Sequence, residues 1–574
     1  MAAERDAESR RRLTSKRLWS AVILLGFAAL AVAAKLPVWL SPADHFGGTA
    51  DAEQTMWFLT WIPAAVAQHH NPLLTTFLNY PAGINLMWNT AMPVLGVLLW
   101  PLTTTLGAVV SFNVITTAAL ALSAFFAFLA IRRHIPGILI PALGGLLYGF
   151  SPAIIPQDFS HANVAASAAT IPLALILLDE LLIRQRWRWW LTGLLIAALG
   201  VFQFFLFEEV FVTEVGAAVV LTLVLAAVAP DEVPSRRPYA LRAFSLAAVI
   251  TVACVAAPLA VQFAGPSVPQ HSINDPNAFS IDLLNPVVPT ATQLITPATS
   301  LSAGFSGNGS EADGYLGVPL LVLLVITALR CWRVRVVRAA VITGVIALVC
   351  SLGPNLHVAG RATRIPLPWW IPGHVPLLRS IIPARMMLFA FLAAALLLAY
   401  ALHMLWSARR NPLPLLAVAA VVLVPLVPRL PLLTNTLQVP AFFSSARVAA
   451  IPAGTPVLAV PWPETAAPDA MRWQMASTMR FRLLGGHFIG PAAGGQDLLR
   501  GVAGSFDGAQ VLQIGADEQA AVLRQLRDNN VGAVVVGPCR QHAAAVAFFT
   551  SLLGGPPSLS GDGADVWLTG SAGG

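Results

Sequence analysis

Charge is scarce in this chain. Of its 574 residues only 11% are Asp, Glu, Lys or Arg, against about 25% in an ordinary soluble domain. Lysine is scarcer still: Lys16 and Lys35 are the only two, a bias toward arginine that fits a GC-rich bacterial genome. Cysteine numbers four, Cys254, Cys331, Cys350 and Cys539, with no CxxC pair and no metal-like spacing. That pattern suggests neither a disulfide framework nor a cysteine metal site. No phosphate-loop motif is present; GGHFIGPAAGG (485–495) is glycine-rich without that spacing and reads as a loop.

What the chain has in abundance is hydrophobic sequence, 57% of all residues with a mean hydropathy of +0.72. Apolar runs of about 20 residues recur along most of its length, long enough to cross a bilayer as helices. The fold class is therefore a polytopic α-helical membrane protein. The net charge of +7 lies in short basic clusters between the apolar runs: 10–12 with Lys16 and Arg17, then Arg132 and Arg133, 184–188, 236–242, 330–338, and Arg409 with Arg410. Such clusters mark cytoplasmic loops, and no aromatic-interleaved basic face suits a nucleic acid.

Placing every basic cluster inside gives eleven spans and a cytoplasmic N-terminal tail, residues 1–17. The first, 18–40, contains the weak signal-peptidase-like stretch AVAA but is longer than a usual signal segment, and reads as a retained anchor. The others fall near 109–131, 137–156, 163–183, 190–209, 210–229, 243–264, 315–329, 339–353, 386–406 and 412–428. The membrane domain, 18–428, then has outer loops at 41–108, 265–314 and 353–385. The first holds an apolar stretch, 93–106, that suits a surface-lying helix. The second carries His271, Asp275, Asp282, Glu311 and Asp313. Residues 429–574 change character: TPVLAVPW (455–462), VGAVVVG (531–537) and ADVWLTG (564–570) read as strands, and ADEQAAVLRQLRDNN (516–530) as a helix. This is an extracytoplasmic α/β domain.

With so few charges, acids near span ends invite explanation. In ADAEQTMWFLTW (50–61), Asp51 with Gln54 three residues on resembles a capping box, with Trp57 and Trp61 marking an interfacial face. The other reading, compatible with the first, makes Asp51 a general base facing a cavity at the outer membrane surface. FSPAIIPQDFSHAN (150–163) puts Asp158, His161 and Asn163 on that same side, either as a plain interhelical loop or as a pair that binds a cation or orients a hydroxyl. Glu208, Glu209 and Glu214 lie at the junction of two spans, where they face a partner or simply water. Asp179 and Glu180 sit at an inner end beside Arg184, as a local ion pair. LLRSIIPARM (377–386) brings Arg379 and Arg385 to an outer end, against the positive-inside trend. They could grip a phosphate bidentately or pair with an outside acid.

These stretches, together with NPLLTTFLNYPAGINLMWNT (71–90), EADGYLGVPLL (311–321), SLGPNLHVAG (351–360) and WQMASTMRF (473–481), resemble the GT-C superfamily of integral-membrane glycosyltransferases. The likeness is to a bacterial branch dependent on polyprenyl-phosphate sugars. It implies a plasma-membrane enzyme that transfers a sugar with inversion from a polyprenyl-phosphate donor to an extracytoplasmic cell-envelope glycan or glycolipid. Asp51 would be the base at the acceptor. Glu53, Asp158 and His161 would support the acceptor or a metal site, and a divalent cation, Mg or Mn, would sit on Asp51 and Asp158. Arg379, Arg385 or His271 would hold the donor phosphate. One departure stands out, since the paired acids are spaced as Asp51 and Glu53 rather than adjacent. Two other readings stay open, a transporter or flippase of lipid-linked sugars and a non-catalytic scaffold binding an envelope glycan. Polar residues on one face and no internal repeat favour the enzyme over the transporter, while the non-adjacent acids leave the scaffold open.

Overall fold

The computed structural model describes residues 2–570 apart from 298, 313 and 433, and leaves aside the side chains of 2–16, 159, 160 and 299. Asp313 therefore lies outside the described residues. The chain forms two compact units. One comprises Met1–Leu40, Asn113–Val255 and Ser272–Leu433, the other Ser41–Phe112, Ala256–His271 and Thr434–Gly574.

The first unit is helical because its apolar runs satisfy their backbone polar groups internally, which is what a hydrocarbon environment requires. Among the described residues, seven helices are long and apolar enough to cross a membrane: Arg17–Ala34, Ala108–Arg132, Ala162–Arg184, Trp189–Leu206, Glu208–Val228, Pro230–Ala264 and Pro383–Arg409. The expected count of eleven is thus not confirmed. The other four expected spans correspond to shorter helices, Leu139–Gly149, Val318–Cys331, Arg335–Ser351 and Pro412–Leu423, cut short by Gly, Pro or basic residues. The Pro383–Arg409 segment is the central pillar, with 72% of its apolar window buried, against 11% for Glu208–Val228.

Leu139–Gly149 packs through a glycine face. A Cβ on Gly145 would lie 2.5 Å from the Ala124 carbonyl oxygen, and one on Gly149 would lie 2.4 Å from the Ala124 nitrogen. Small residues four apart let two helix backbones touch where no side chain could fit. At another helix end Asp179 accepts from Arg133 and Arg184 at 2.5 and 2.6 Å, and Glu180 pairs with Arg133 at 2.7 Å. The expected local ion pair is there, extended to a second arginine.

The second unit is built on a five-stranded sheet in the order Leu559–Gly561, Ala564–Leu568, Ala533–Val536, Pro456–Val460, Arg482–Leu483. Pro456–Val460 is parallel to both of its neighbours, with Leu458 opposite Val534, and the other two pairings are antiparallel. Alternate side chains of the central strands face opposite layers. Leu458, Val460, Val534 and Val536 pack on Val522, Leu526 and Phe549 of the helices Ala516–Asp528 and His542–Leu553. Val457, Ala459, Ala533 and Val535 pack on Trp57, Trp61, Phe443 and Trp473.

That second layer corrects the interfacial reading of the tryptophans. Trp57 and Trp61 are buried, stacked at 5.7 Å between centroids, and Trp57 Nε1 donates to Gln474 Oε1 at 2.6 Å. Spaced four apart on Ala50–Ala67, they share the helix face turned to the sheet layer. The 93–106 stretch forms two short helices, Pro93–Leu98 and Trp100–Leu106, neither long enough to span.

Candidate active site

Polar side chains gather in both units. In the sheet-bearing unit, the helix Ala50–Ala67 begins after Thr49, so Asp51 stands in its first turn rather than at the cap. The capping-box reading fails because Gln54 is used elsewhere: its Nε2 donates to the His487 carbonyl at 2.8 Å. His487 lies in the glycine-rich segment. A Cβ on Gly485 would approach the Pro463 oxygen to 2.6 Å, and Gly486 takes φ +150°, so the chain can reach this position only without side chains there.

Two asparagines of 71–90 lace the same segment in place. Asn79 Nδ2 donates to the Pro491 carbonyl and its Oδ1 accepts from the Ala493 nitrogen, at 3.0 and 2.7 Å. Asn89 does likewise at Ile489, at 2.8 and 2.6 Å. His487 is thereby held with Nε2 3.5 Å from Asp51 Oδ1, its ring mostly buried and its Nδ1 without a hydrogen-bond partner among the described residues. Burial lowers its pKa below the usual imidazole value, against the opposing pull of Asp51, the Ala50 backbone and Glu53.

Glu53 has a different fate. Both its oxygens accept from Arg472, Nε to Oε2 and Nη2 to Oε1, each at 2.6 Å, and Arg472 also reaches Asp469 at 3.0 Å. Although burial works against it, the Glu53 pairing raises the guanidinium pKa. Glu53 is buried and neutralised, while the Asp51 side chain is 41% exposed beside a neutral ring. His271, also in this unit, is exposed on the surface.

In the helical unit, Asp158 is fully buried on the short helix Ile155–Ser160. Its Oδ2 meets Lys35 Nζ at 2.7 Å, and that ammonium also donates to Thr116 Oγ1 at 2.5 Å. The adjacent Gln157 donates to the Ser310 carbonyl and to Glu311 Oε2 at 2.8 and 3.0 Å, and His161 Nδ1 lies 2.8 Å from Gln157 Oε1. Glu311 in turn holds Arg385, whose Nη2 is 2.9 Å from Oε1, while Arg385 Nη1 donates to Glu209 Oε2 at 2.8 Å.

Arg385 is thus committed to two acids, the salt-bridge alternative among its expected roles. Glu209 sits in this network rather than in water. Arg379, half-buried, keeps Nε without a hydrogen-bond partner among the described residues. Leu378 and Ile381, its neighbours in sequence, line an apolar groove of about 370 Å³ together with Trp369, Ile171, Ala393 and Glu214.

No group of three or more His, Cys, Asp or Glu side chains among the described residues is arranged to hold a metal ion. The carboxylates of the expected metal set are differently engaged: Asp158 faces an ammonium, and Asp51 faces His487. Sequence reasoning missed Lys35, Arg472 and His487 as partners, while Glu311 is one of the outer-loop acids that Arg385 was open to pairing with. Lys35, one of two lysines and at the end of an apolar run, carried the one usable signal.

No curated protein matches the chain. Among solved structures, the apo oligosaccharyltransferase of Archaeoglobus fulgidus aligns over 91% of this chain and 70% of its own, at 11% identity and TM-score 0.51. The arabinofuranosyltransferase AftD from Mycobacteria aligns over 96% of this chain at 14% identity and TM-score 0.52, and this chain spans 40% of it. The chain shares its fold with these two glycosyltransferases. By sequence, the chain belongs to the family described as Domain of unknown function (DUF6311), whose model matches residues 23–424.

Proposed function

We propose that this protein is a membrane glycosyltransferase that moves a sugar, with inversion, from a polyprenyl-phosphate donor to a cell-envelope acceptor on the extracytoplasmic side. The observation that carries the reading is the contrast within one helical turn. Glu53 is neutralised by Arg472, whereas Asp51 remains accessible beside an uncharged imidazole. A carboxylate that solvent can reach is able to accept a proton from a hydroxyl.

In the reaction, an Asp51 carboxylate oxygen takes the proton of the acceptor hydroxyl. The hydroxyl oxygen then bonds to the anomeric carbon from the face opposite the donor phosphate, and the carbon–oxygen bond to that phosphate breaks. The leaving polyprenyl phosphate carries away the bonding pair. Taken by itself, the helical unit offers an apolar groove beside Leu378 and Ile381 that suits a polyprenyl chain, with Arg379 next to them in sequence as a cation for a lipid phosphate. His161 and Gln157 order the short helix that bears Asp158.

The test is sugar transfer by purified protein from a panel of radiolabelled polyprenyl-phosphate sugars to envelope acceptors, comparing wild type with Asp51→Asn. The amide keeps the shape and loses the base, so transfer should fall about 10²–10⁴-fold while folding is kept. Undiminished transfer by the variant would remove Asp51 from the chemistry. Donor movement across liposomes without any transfer would favour a flippase.

A further inference from the structure

We propose that Lys35 is a built-in counter-cation for Asp158 and takes the place of a divalent metal ion at that carboxylate. The proposal deepens the transferase reading and rests on it only for its activity arm.

The geometry is that of a cation site already filled. Lys35 and Asp158 side chains are 1% and 0% exposed, and Nζ sits 2.7 Å from Oδ2 with Thr116 Oγ1 as a second oxygen at 2.5 Å. A compact ammonium on a flexible stem presents a point charge to surrounding oxygens, as a small metal ion does and a planar guanidinium does not. In a chain with two lysines, the choice of this residue here is specific. Its origin is fixed as well: Lys35 N bonds the Ala31 and Val32 carbonyls where the first long helix ends.

A divalent ion brought to Asp158 would have to approach an ammonium already in contact with the same carboxylate, and like charges at that range repel. Asp158 Oδ1 has no hydrogen-bond partner among the described residues, so Lys35 supplies the positive charge that this carboxylate meets there. The same short helix is pinned by Gln157 to Glu311 and through it to Arg385. Lys35 is thus the second anchor of that helix, a positioning residue.

The experiment uses the full-length purified chain, with MnCl₂ and MgCl₂ as probes and EDTA as chelator. The wild type should melt at the same midpoint with either probe or with EDTA. Lys35→Ala, which leaves a buried carboxylate unpaired beside an empty space, should melt at least about 5 °C lower. Millimolar Mn²⁺ should recover part of that loss, and should recover none in Lys35→Ala/Asp158→Asn, which has no carboxylate to bind it. If the wild type transfers sugar, that activity should survive EDTA, and Lys35→Ala should become Mn²⁺-dependent.

A wild-type midpoint raised by Mn²⁺ and abolished as a difference by Asp158→Asn would overturn the proposal, as would a Lys35→Ala chain that melts like wild type or gains nothing from Mn²⁺. Absence of transfer by the wild type under every condition would count against the transferase reading alone, because the melting arms stand independently of it.

Discussion

At the residue scale, two acids on one helical turn part company because their surroundings differ. Glu53 is turned to Arg472 and buried; Asp51 is turned to His487 and remains open. The imidazole is itself a reporter. Its folded pKa lies below 6.5 because burial penalises the charged ring more than Asp51 and Glu53 favour it. On acidification the unfolded chain therefore takes up the proton first, near its own ordinary value. The contribution of His487 to stability is full above about pH 6.5 and is lost as pH falls through that value toward the folded one. Thermal midpoints measured from pH 8 down to pH 5 should fall on the acid side in the wild type, and less steeply in His487→Gln. Equal slopes would show that the ring does not titrate with folding.

At the scale of elements, close backbone approach decides which segments stay put. Leu139–Gly149 is too short to span on its own, and it is held by glycines that leave no room for a side chain against Ala124. Gly149→Leu would place a side chain where the neighbouring backbone already lies. Overpacking of this kind costs about 1–3 kcal/mol or more, and here the opposing atoms are backbone, which cannot swing aside. The variant should give lower yield of folded protein in detergent and an earlier thermal transition; a wild-type midpoint would show that the two helices separate readily.

The two asparagines that hold the glycine-rich segment follow a parallel logic. Each side-chain amide offers both a donor and an acceptor, and one backbone loop uses both. From sequence alone the segment reads as a loop, because its glycines lack phosphate-loop spacing.

At the scale of the whole molecule, one feature outside the polar clusters bears on substrate. The groove lined by Ile171, Trp369, Leu378, Ile381 and Ala393 lies within the helical unit and is almost wholly apolar. Filling it with Ala393→Trp should raise the KM for a long-chain donor about tenfold, the equivalent of about 1.4 kcal/mol of lost apolar contact. Donors with a truncated lipid should be unaffected. An equal rise for both would point to distortion of the helices instead of loss of lipid binding.

Much of the architecture was legible in the amino-acid order. Apolar runs, and three strands and a helix near the end, are all local patterns, and each has a helix or strand in the fold at the expected place. Local pattern failed where its periodicity had two readings. Trp57 and Trp61 gave the same spacing for a membrane-facing surface as for a core, and only the sheet packed against them decided.

The eleven-span count is not confirmed, since hydropathy by itself does not register where glycine, proline or basic residues end a helix early. For the site, sequence by itself named the candidates for chemistry: Asp51, Glu53, Asp158, His161, His271, Arg379 and Arg385. Tertiary structure alone decided which of their charges are already met. Lys35 and Asp158 are separated by 123 positions, Glu53 and Arg472 by 419. Such pairings have no periodicity to read, because a Coulombic contact depends on distance in space and not on separation along the chain.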